Sequence, residues 1–217
     1  MHTGKYDLSI CITVLNRSFI VDEYGIVHKI LPNTLQSIAN NSNVGRLEVI
    51  ISDWGSTDWP LKEWVPKILS GIDYKIIQVN GSFSRGRGRN IAAEYASSDT
   101  IFFLDADVKP SKQALELAIN KPKENICVFP KCRILTRNGI PKHTGRVWAK
   151  GYGVCAVKKK WWIDVGKWPE YIKWGAEDNL FHARINEYHI EHPDIIRDII
   201  RPEIYDLQHQ WHPHNRK

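Results

Sequence analysis

The sequence predicts an α/β domain with a mostly parallel central sheet flanked by helices. Short apolar, β-branched segments alternate with helical patterns through the first half of the chain, and acidic residues directly follow two of these segments. The 217 residues, 42% hydrophobic and 25% charged, suit one globular domain. Because ligands of such sheets bind beyond the carboxyl ends of the strands, the fold class also predicts where a functional site lies.

The first half supplies seven elements in alternation. Apolar runs predict four strands, and the segments between them carry helical patterns. In chain order these elements are the strand Leu8–Leu15, the helix Leu31–Asn40, the strand Leu47–Ser52, the helix Leu61–Leu69, the strand Tyr74–Val79, the helix Arg89–Ala96 and the strand Ile101–Leu104. Strands separated by helices imply βαβ units, and hence a parallel sheet.

The second half is less regular. Gly, Trp, Lys and Arg cluster between residues 133 and 174, followed by a predicted helix at Asp178–Tyr188, a strand at Glu203–Leu207 and a His-rich tail. No internal repeat or low-complexity linker marks a boundary. We therefore predict a single domain over residues 1–217.

Composition narrows the class of protein. No apolar run approaches the roughly 18–20 residues of a membrane span, and Met1–Tyr6 has no apolar signal core, so we expect a soluble, cytoplasmic chain with no integral membrane segment. The net charge of +6 favours an anionic partner, whether a nucleotide-sugar, an acidic polymer, nucleic acid or a membrane surface. Four cysteines without metal-type spacing predict reduced, buried thiols: Cys11, Cys127, Cys132 and Cys155.

Two carboxylates lie one residue apart where the strand Ile101–Leu104 ends. In an extended chain Asp105 and Asp107 point to the same side, so they can converge on one cation if the chain turns. Oxygen ligands suit Mg²⁺ or Mn²⁺, which keep open positions for the phosphates of a substrate. His209, after the strand Glu203–Leu207, could add a nitrogen ligand, and a solvated tail is the alternative.

Two more segments follow strand ends. Asp53 is placed to accept hydrogen bonds from a nucleobase or ribose, whereas Asp58 is expected to cap the next helix. The Arg/Gly run Phe83–Asn90 precedes a helix, where Gly allows close backbone approach and Arg pairs with phosphate. This run predicts contact with a pyrophosphate or donor sugar through Arg89 and Asn90, with RNA binding as the alternative.

Acids also begin the last predicted helix. Glu177 and Asp178 either cap its first turn or supply a general base beside Trp174, on which an acceptor ring could stack. The nine Trp residues leave a similar choice between stacking on ligands and packing in the core.

Four segments, in this order, resemble the GT-A fold glycosyltransferases of the family 2 type. Ser9–Arg17 resembles their opening strand and nucleotide loop, and Val49–Asp58 resembles the second strand with its Asp-Gly-Ser-Thr-Asp turn. Arg89–Asn90 with Leu104–Asp107 resembles the Arg-Asn helix start and the metal-binding Asp-x-Asp, and Lys173–Asn179 resembles the Trp-Gly-x-Glu-Asp motif of galactosyltransferases and chondroitin-polymerase-like enzymes. Trp54 departs from the turn motif, and the long segment Phe19–Lys29 precedes the first helix.

The resemblance implies a hexosyl- or N-acetylhexosaminyltransferase with a UDP-sugar donor and Mn²⁺ or Mg²⁺ as cofactor. It implies donor-binding residues in the half 1–124, namely Thr13, Asn16, Arg17, Asp53, Arg89, Asn90 and Asp105. It also implies metal ligation by Asp107 as chief carboxylate with Asp105 beside it and His209, or His212 in its place.

In the half 125–217 the resemblance implies an acceptor site, with Asp178 as the general base of an inverting enzyme and Trp174, Gly175 and Glu177 binding a carbohydrate acceptor. The basic run Lys158–Lys160 keeps a modified nucleic-acid acceptor open. Because a fold does not fix a function, a noncatalytic sugar- or nucleic-acid-binding protein and a nucleotidyl transferase also stay open.

Overall fold

A computed structural model describes residues 5–141, 151–171 and 176–213. In chain order the elements are β1 (Leu8–Val14), β2 (Phe19–Val21), β3 (Val27–Lys29), α1 (Leu31–Asn40), β4 (Leu47–Asp53), α2 (Leu61–Ile68), β5 (Asp73–Gln78), α3 (Arg85–Glu94), β6 (Thr100–Phe103), β7 (Val108–Lys109), α4 (Lys112–Lys123), β8 (Ile126–Val128), β9 (Lys131–Ile134), β10 (Cys155–Lys158), α5 (Lys159–Asp164), α6 (Glu177–Glu191), β11 (Asp198–Ile200) and β12 (Glu203–His209).

Seven strands form the main sheet in the order β11-β8-β10-β6-β1-β4-β5. The four strands predicted from the first half are mutually parallel, and β11 is parallel to β8. Only β10 runs antiparallel to its neighbours among the described strands of this sheet. The predicted mostly parallel α/β sheet is therefore confirmed, and it draws strands from both halves of the chain.

The core explains why the predicted strands are continuous apolar runs. Every residue of β1 and β4 is buried, because both faces of the sheet are covered. Ile10 and Ile12 pack in the cluster that includes α1, α2 and α4, whereas Cys11 and Ile50 pack in the cluster that includes α3, α5 and α6. Of the seven Trp residues within the described ranges, five are buried in the core, at positions 54, 64, 161, 162 and 168.

Helix α3 begins at Arg85, whereas the sequence predicted a start at Arg89. Ser84 caps it by accepting a hydrogen bond from the backbone N–H of Arg87. Close packing selects the glycines of the Arg/Gly run: a Cβ at Gly86 would lie 1.9 Å from the Pro169 carbonyl oxygen, and one at Gly88 would lie 2.0 Å from Thr13 Oγ1. The run is thus the tightly packed first turns of a helix.

A second sheet brings the late part of the chain to the end of β6. Its order is β7-β12-β9, with β12 antiparallel to β7 and parallel to β9. The pairing of His209 with Val108 places the end of β12 beside Asp107. The strand predicted at Glu203–Leu207 extends to His209.

Two expectations from composition have direct structural counterparts. None of the helices in the described part of the chain is long and apolar enough to cross a membrane. All four cysteines are buried and free, as predicted. Burial raises the pKa of the Cys132 thiol to about 12, so this thiol is protonated at neutral pH.

Candidate active site

The predicted acids gather at the carboxyl ends of the central strands. Asp53 is the last residue of β4 and pairs with Val14 and Gln78 on the neighbouring strands. Asp105 and Asp107 lie in the turn between β6 and β7. A single edge of the sheet therefore carries all three carboxylates, as the strand-end rule predicts.

Asp107, His209 and His212 form a compact cluster. The carboxylate Oδ2 of Asp107 lies 3.1 Å from His212 Nε2 and 3.6 Å from His209 Nε2. Burial would raise the pKa of Asp107, but the hydrogen bond from His212 and the charges of His209, His212 and Arg17 outweigh it and lower that pKa to about 2. The same hydrogen bond raises the pKa of His212.

This cluster fits a divalent metal ion. The three ligand atoms lie within 4.8 Å of one another, and the side chains are between 14% and 20% exposed, so an ion can reach them. One carboxylate oxygen with two imidazole nitrogens suits Mn²⁺ better than Mg²⁺, because Mg²⁺ prefers oxygen ligands alone. Sequence reasoning proposed His209 and held His212 in reserve, whereas the structure brings both to Asp107.

Asp105 lies beside this cluster but faces another partner. Its Oδ1 accepts a 2.6 Å hydrogen bond from Arg89 Nη2. Gly153 makes room for this pair, because a Cβ there would lie 2.6 Å from Arg89 Nη2 and 3.0 Å from Asp105 Oδ2. A cavity of about 20 Å³, enough for one water molecule or ion, separates Asp105 from His209. Metal ligation by Asp105 stays a prediction.

Arg89 connects the donor side of the site to helix α6. Its guanidinium is 1% exposed and stacks 4.3 Å above the ring of Trp168, and its Nη1 lies 3.8 Å from Glu177 Oε1. This Nη1 has no hydrogen-bond partner among the described residues. Arg89 therefore positions Asp105 and Glu177 from a buried location.

Arg85 is a site residue that sequence reasoning missed. Its Nη1 donates a 3.1 Å hydrogen bond to Glu177 Oε1, and its side chain is 29% exposed, against 1% for Arg89. Burial would lower the pKa of Arg85, but four surrounding carboxylates raise it, those of Asp105, Glu177, Asp107 and Asp178. The spacing of four residues between the two arginines places them on one helix face, a signal present in the sequence.

Two residues predicted to bind the nucleotide, Asp53 and Asn16, accept hydrogen bonds from other parts of the protein. Asp53 accepts from the Ser56 backbone N–H at 2.9 Å and from Gln78 Nε2 at 3.1 Å. Asn16, at a φ of 49°, accepts from the Thr57 backbone N–H at 2.8 Å. These bonds fix the shape of the loop, and the predicted contacts with a donor remain predictions.

Trp54 departs from the family turn, and its contacts show how the larger side chain is accommodated. Its indole N–H donates a 3.1 Å hydrogen bond to Thr13 Oγ1, and its ring packs edge-on against Phe83. Thr13 is thereby tied to the turn beneath helix α3 rather than exposed in the loop. Arg17 is partly buried, and its charge reaches Asp107.

Asn90 uses its whole amide within the protein. Its Nδ2 donates to the Trp168 carbonyl and to Glu170, and its Oδ1 accepts from the Trp162 indole and the Trp168 backbone N–H. Two donors and two acceptor positions are all that an amide offers. Asn90 therefore anchors the segment around Trp168. Its predicted contact with the sugar donor stays a prediction.

Asp178 lies in the first turn of α6, next to a pair of stacked rings. Its Oδ2 accepts from the Tyr152 backbone N–H at 3.2 Å, and the ring of Tyr152 stacks on the imidazole of His182, with centroids 3.8 Å apart. Arg201 lies 4.0 Å from the Tyr152 ring centroid on the same wall. The predicted acceptor residues Trp174 and Gly175 lie outside the described residues.

Comparison with known proteins establishes the family. Residues 9–171 match the model of the family described as Glycosyl transferase family 2. Since this match covers most of the chain, the protein belongs to glycosyl transferase family 2, and the glycosyltransferase class expected from the sequence is confirmed.

Individual relatives are more distant. The chain is 25% identical over 162 residues to chondroitin sulfate N-acetylgalactosaminyltransferase 1 of Homo sapiens and of Mus musculus, covering 64% of this chain and 29% of each relative. The structure of S. aureus TarS 1-349 in complex with UDP-GlcNAc matches with a TM-score of 0.70 and 19% identity, over 96% of this chain and 59% of TarS. The structure of S. aureus TarS 1-349 in complex with UDP matches with a TM-score of 0.68 and 20% identity, over 95% of this chain and 61% of the TarS 1-349 chain. These structural matches confirm the GT-A fold.

Proposed function

We propose that this protein is a metal-dependent, inverting glycosyltransferase that moves a sugar from a UDP-sugar to a hydroxyl group of a glycan. The observation that carries the proposal is the cluster of Asp107, His209 and His212 at the strand ends, within the same site as a partly buried carboxylate, Asp178, at a helix start. The cluster suits a metal that binds a diphosphate, and the carboxylate suits a base.

The donor side has a defined division of labour in this proposal. Asp107, His209 and His212 hold the ion, which when bound offsets the charge that develops on the leaving diphosphate. Arg85, the more exposed of the two arginines, contacts the donor, and Arg89 keeps Asp105 in place through its 2.6 Å hydrogen bond. Asp53 faces the uracil or ribose at the end of β4.

The acceptor side centres on Asp178. Its Oδ2 is oriented by the Tyr152 backbone N–H, and the carboxylate takes the proton from the attacking hydroxyl of the acceptor. Direct attack on the anomeric carbon, with the diphosphate leaving from the opposite face, inverts its configuration. The stacked rings of Tyr152 and His182 provide an apolar wall against which a sugar ring can lie.

The relatives favour an N-acetylhexosamine as the transferred sugar. TarS has been solved in complex with UDP-GlcNAc, and the chondroitin relative is an N-acetylgalactosaminyltransferase. The chain spans 29% of the length of that relative. In this proposal residues 1–124 supply most of the donor site, and residues 125–217 supply the acceptor site together with His209 and His212 of the metal site.

A glycan acceptor is preferred to nucleic acid because the basic run Lys158–Lys160 is occupied within the protein. Lys158 donates to Asn125 Oδ1 at 2.6 Å, and Lys159 donates to the Ala96 carbonyl at 2.7 Å at the end of α3. Lys160 pairs with Asp164 one helical turn away. The ammonium groups of Lys158 and Lys159 are therefore held by acceptors of the protein itself, and that of Lys160 is paired with an acid.

Donor hydrolysis tests the proposal. Purified protein is incubated with Mn²⁺ and a panel of UDP-, GDP- and CMP-sugars, and nucleotide release is measured for the wild type, Asp107→Ala and the matched control Asp206→Ala, which removes an exposed acid from β12. We expect release from one UDP-sugar that requires Mn²⁺, is lost in Asp107→Ala and persists in Asp206→Ala. No release from any sugar, together with no UDP binding by calorimetry, would contradict the proposal.

A further inference from the structure

The segment Phe19–Lys29, which departs from the family pattern, is a β-hairpin of β2 and β3. A buried carboxylate organises its turn. Asp22 Oδ1 accepts hydrogen bonds from the backbone N–H groups of Tyr24 and Ile26 at 2.9 and 3.0 Å, and the Asp22 side chain has no exposed surface. Hydrogen bonds of a buried side chain therefore fix the conformation of the hairpin, which takes no part in donor binding or in proton transfer in the proposed function.

The second carboxylate oxygen of Asp22 reaches outside the hairpin turn. Asp22 Oδ2 lies 2.6 Å from His28 Nε2 and accepts a short hydrogen bond from Arg137, which follows β9. Burial opposes ionisation, but His28, the two backbone donors and Arg137 together lower the pKa of Asp22 to about 2. Asp22 is thus charged at neutral pH and fixes both His28 and Arg137.

Both of these side chains contact Trp211. The ring of His28 meets the ring of Trp211 edge-on, with centroids 5.0 Å apart, and the guanidinium of Arg137 lies 5.5 Å from the Trp211 ring centroid. Trp211 is the residue immediately before His212, whose Nε2 is hydrogen-bonded to Asp107.

The residue on the other side of Trp211 is anchored as well. Gln210 donates its backbone N–H to the Asp107 carbonyl at 2.8 Å, and its side-chain amide donates to the Ile30 carbonyl and to Thr34 Oγ1, both at 3.0 Å. Gln210 thus secures the backbone on one side of Trp211, next to His209.

We propose that the hairpin is a positioning element for the metal site: Asp22, through His28 and Arg137, clamps Trp211 and so directs the imidazole of His212 towards Asp107. This inference rests on the metal site of the proposed function. Side chains that orient metal ligands typically change metal affinity by about 10- to 100-fold when they are replaced. Arg137 and Trp211 orient a ligand in this inference and are not ligands themselves, so their effect is expected at the lower end, about 10-fold.

Mn²⁺ affinity is the direct readout. Free Mn²⁺ is titrated by electron paramagnetic resonance in the presence of UDP for the wild type, Arg137→Gln, Arg137→Lys and Trp211→Leu. The matched control is Glu94→Gln, which breaks the exposed ion pair with Lys167 on another face of the protein. We expect about 10-fold weaker Mn²⁺ binding for Arg137→Gln and Trp211→Leu, partial recovery for Arg137→Lys, which keeps the charge opposite Asp22, and no change for Glu94→Gln.

The melting temperature without metal, measured in parallel, separates positioning from simple loss of structure. Wild-type affinity for Mn²⁺ in Arg137→Gln and Trp211→Leu would overturn the inference, even if both variants melt at lower temperature. Should Trp211→Leu not fold, Trp211→Phe keeps a ring in the clamp and the Arg137 pair carries the test. Failure of the wild type to bind Mn²⁺ would instead overturn the metal site itself.

Discussion

The side-chain amide of Gln210 donates a 3.0 Å hydrogen bond to the hydroxyl of Thr34, and that hydroxyl donates in turn to the Ala106 carbonyl at 2.8 Å. The bond between Gln210 and Thr34 spans 176 positions of the chain and joins helix α1 to the end of β12. One buried hydroxyl thus holds together both segments that carry the metal-binding side chains.

Replacing this hydroxyl should lower stability. Thr34→Val keeps the shape of the side chain but leaves the buried Ala106 carbonyl without its donor, which costs about 1–3 kcal/mol. Urea unfolding measures the change, with Gln36→Ala on the exposed face of α1 as control, expected within about 0.5 kcal/mol of the wild type. Equal stability of Thr34→Val and Gln36→Ala would contradict the role of the bond.

The two arginines of α3 should give different defects. Arg89→Gln removes a buried cation that hydrogen-bonds Asp105, whose side chain is 29% exposed, so we expect a loss of about 1–3 kcal/mol in the free energy of unfolding. Arg85→Gln removes a partly exposed cation, so its main expected effect is weaker UDP binding at nearly unchanged stability. Calorimetry measures UDP binding and urea unfolding measures stability for both variants. Weaker UDP binding in Arg89→Gln with a loss of stability in Arg85→Gln would contradict these assignments.

Asp178→Asn should separate chemistry from donor binding. The amide keeps the size of the side chain but cannot take a proton from the acceptor hydroxyl, so kcat should fall about 10²- to 10⁴-fold while UDP affinity stays unchanged. The control is Glu187→Gln, an exposed acid on the same helix. Turnover of Asp178→Asn within a few-fold of the wild type would remove Asp178 from the role of base.

The lowered pKa of His182 predicts that the free energy of unfolding decreases in mild acid. Burial, and after it the charge of Arg201, lower the pKa of His182 to about 4, below its ordinary value of 6.5. Between these values the unfolded chain binds a proton that the folded state does not, so stability declines as the pH falls through this window. His182→Phe preserves ring packing against Tyr152 and Phe129 without titrating.

The measurement is the shift in urea midpoint between about pH 7 and about pH 5 for the wild type and His182→Phe, a range set by this window. We expect a smaller downward shift in the variant. An identical shift in both proteins would mean that His182 titrates with its ordinary pKa.

Local patterns were sufficient for the four parallel strands of the first half and for the sheet edge on which the acids gather, whereas the short strands β2, β3 and β7 to β11 were not predicted. β1 and β4 are covered on both faces, and a strand buried in this way is a nearly continuous run of apolar residues. Asp53, Asp105 and Asp107 follow such strands, so their position at the sheet edge could be predicted.

Partnerships over long distances in the chain could not be predicted in the same way. The joint approach of His209 and His212 to Asp107 depends on the pairing of β12 with β7 and on an irregular register within β12, between Glu203 and Gln208. The Trp54–Thr13 hydrogen bond and the clamp around Trp211 likewise join segments distant in sequence. Arg85 is different, because its spacing from Arg89 was visible and only the start of α3 was placed too late.

The separation of 105 positions between Asp107 and His212 also bears on the order of folding. Closing so long a loop is entropically costly, and contacts of this kind form late in small domains. An ion that binds only after this closure stabilises the native state without stabilising the folding transition state. We therefore expect Mn²⁺ to slow unfolding while leaving the refolding rate unchanged. The ion would then increase the kinetic stability of the folded protein without taking part in the nucleation of folding.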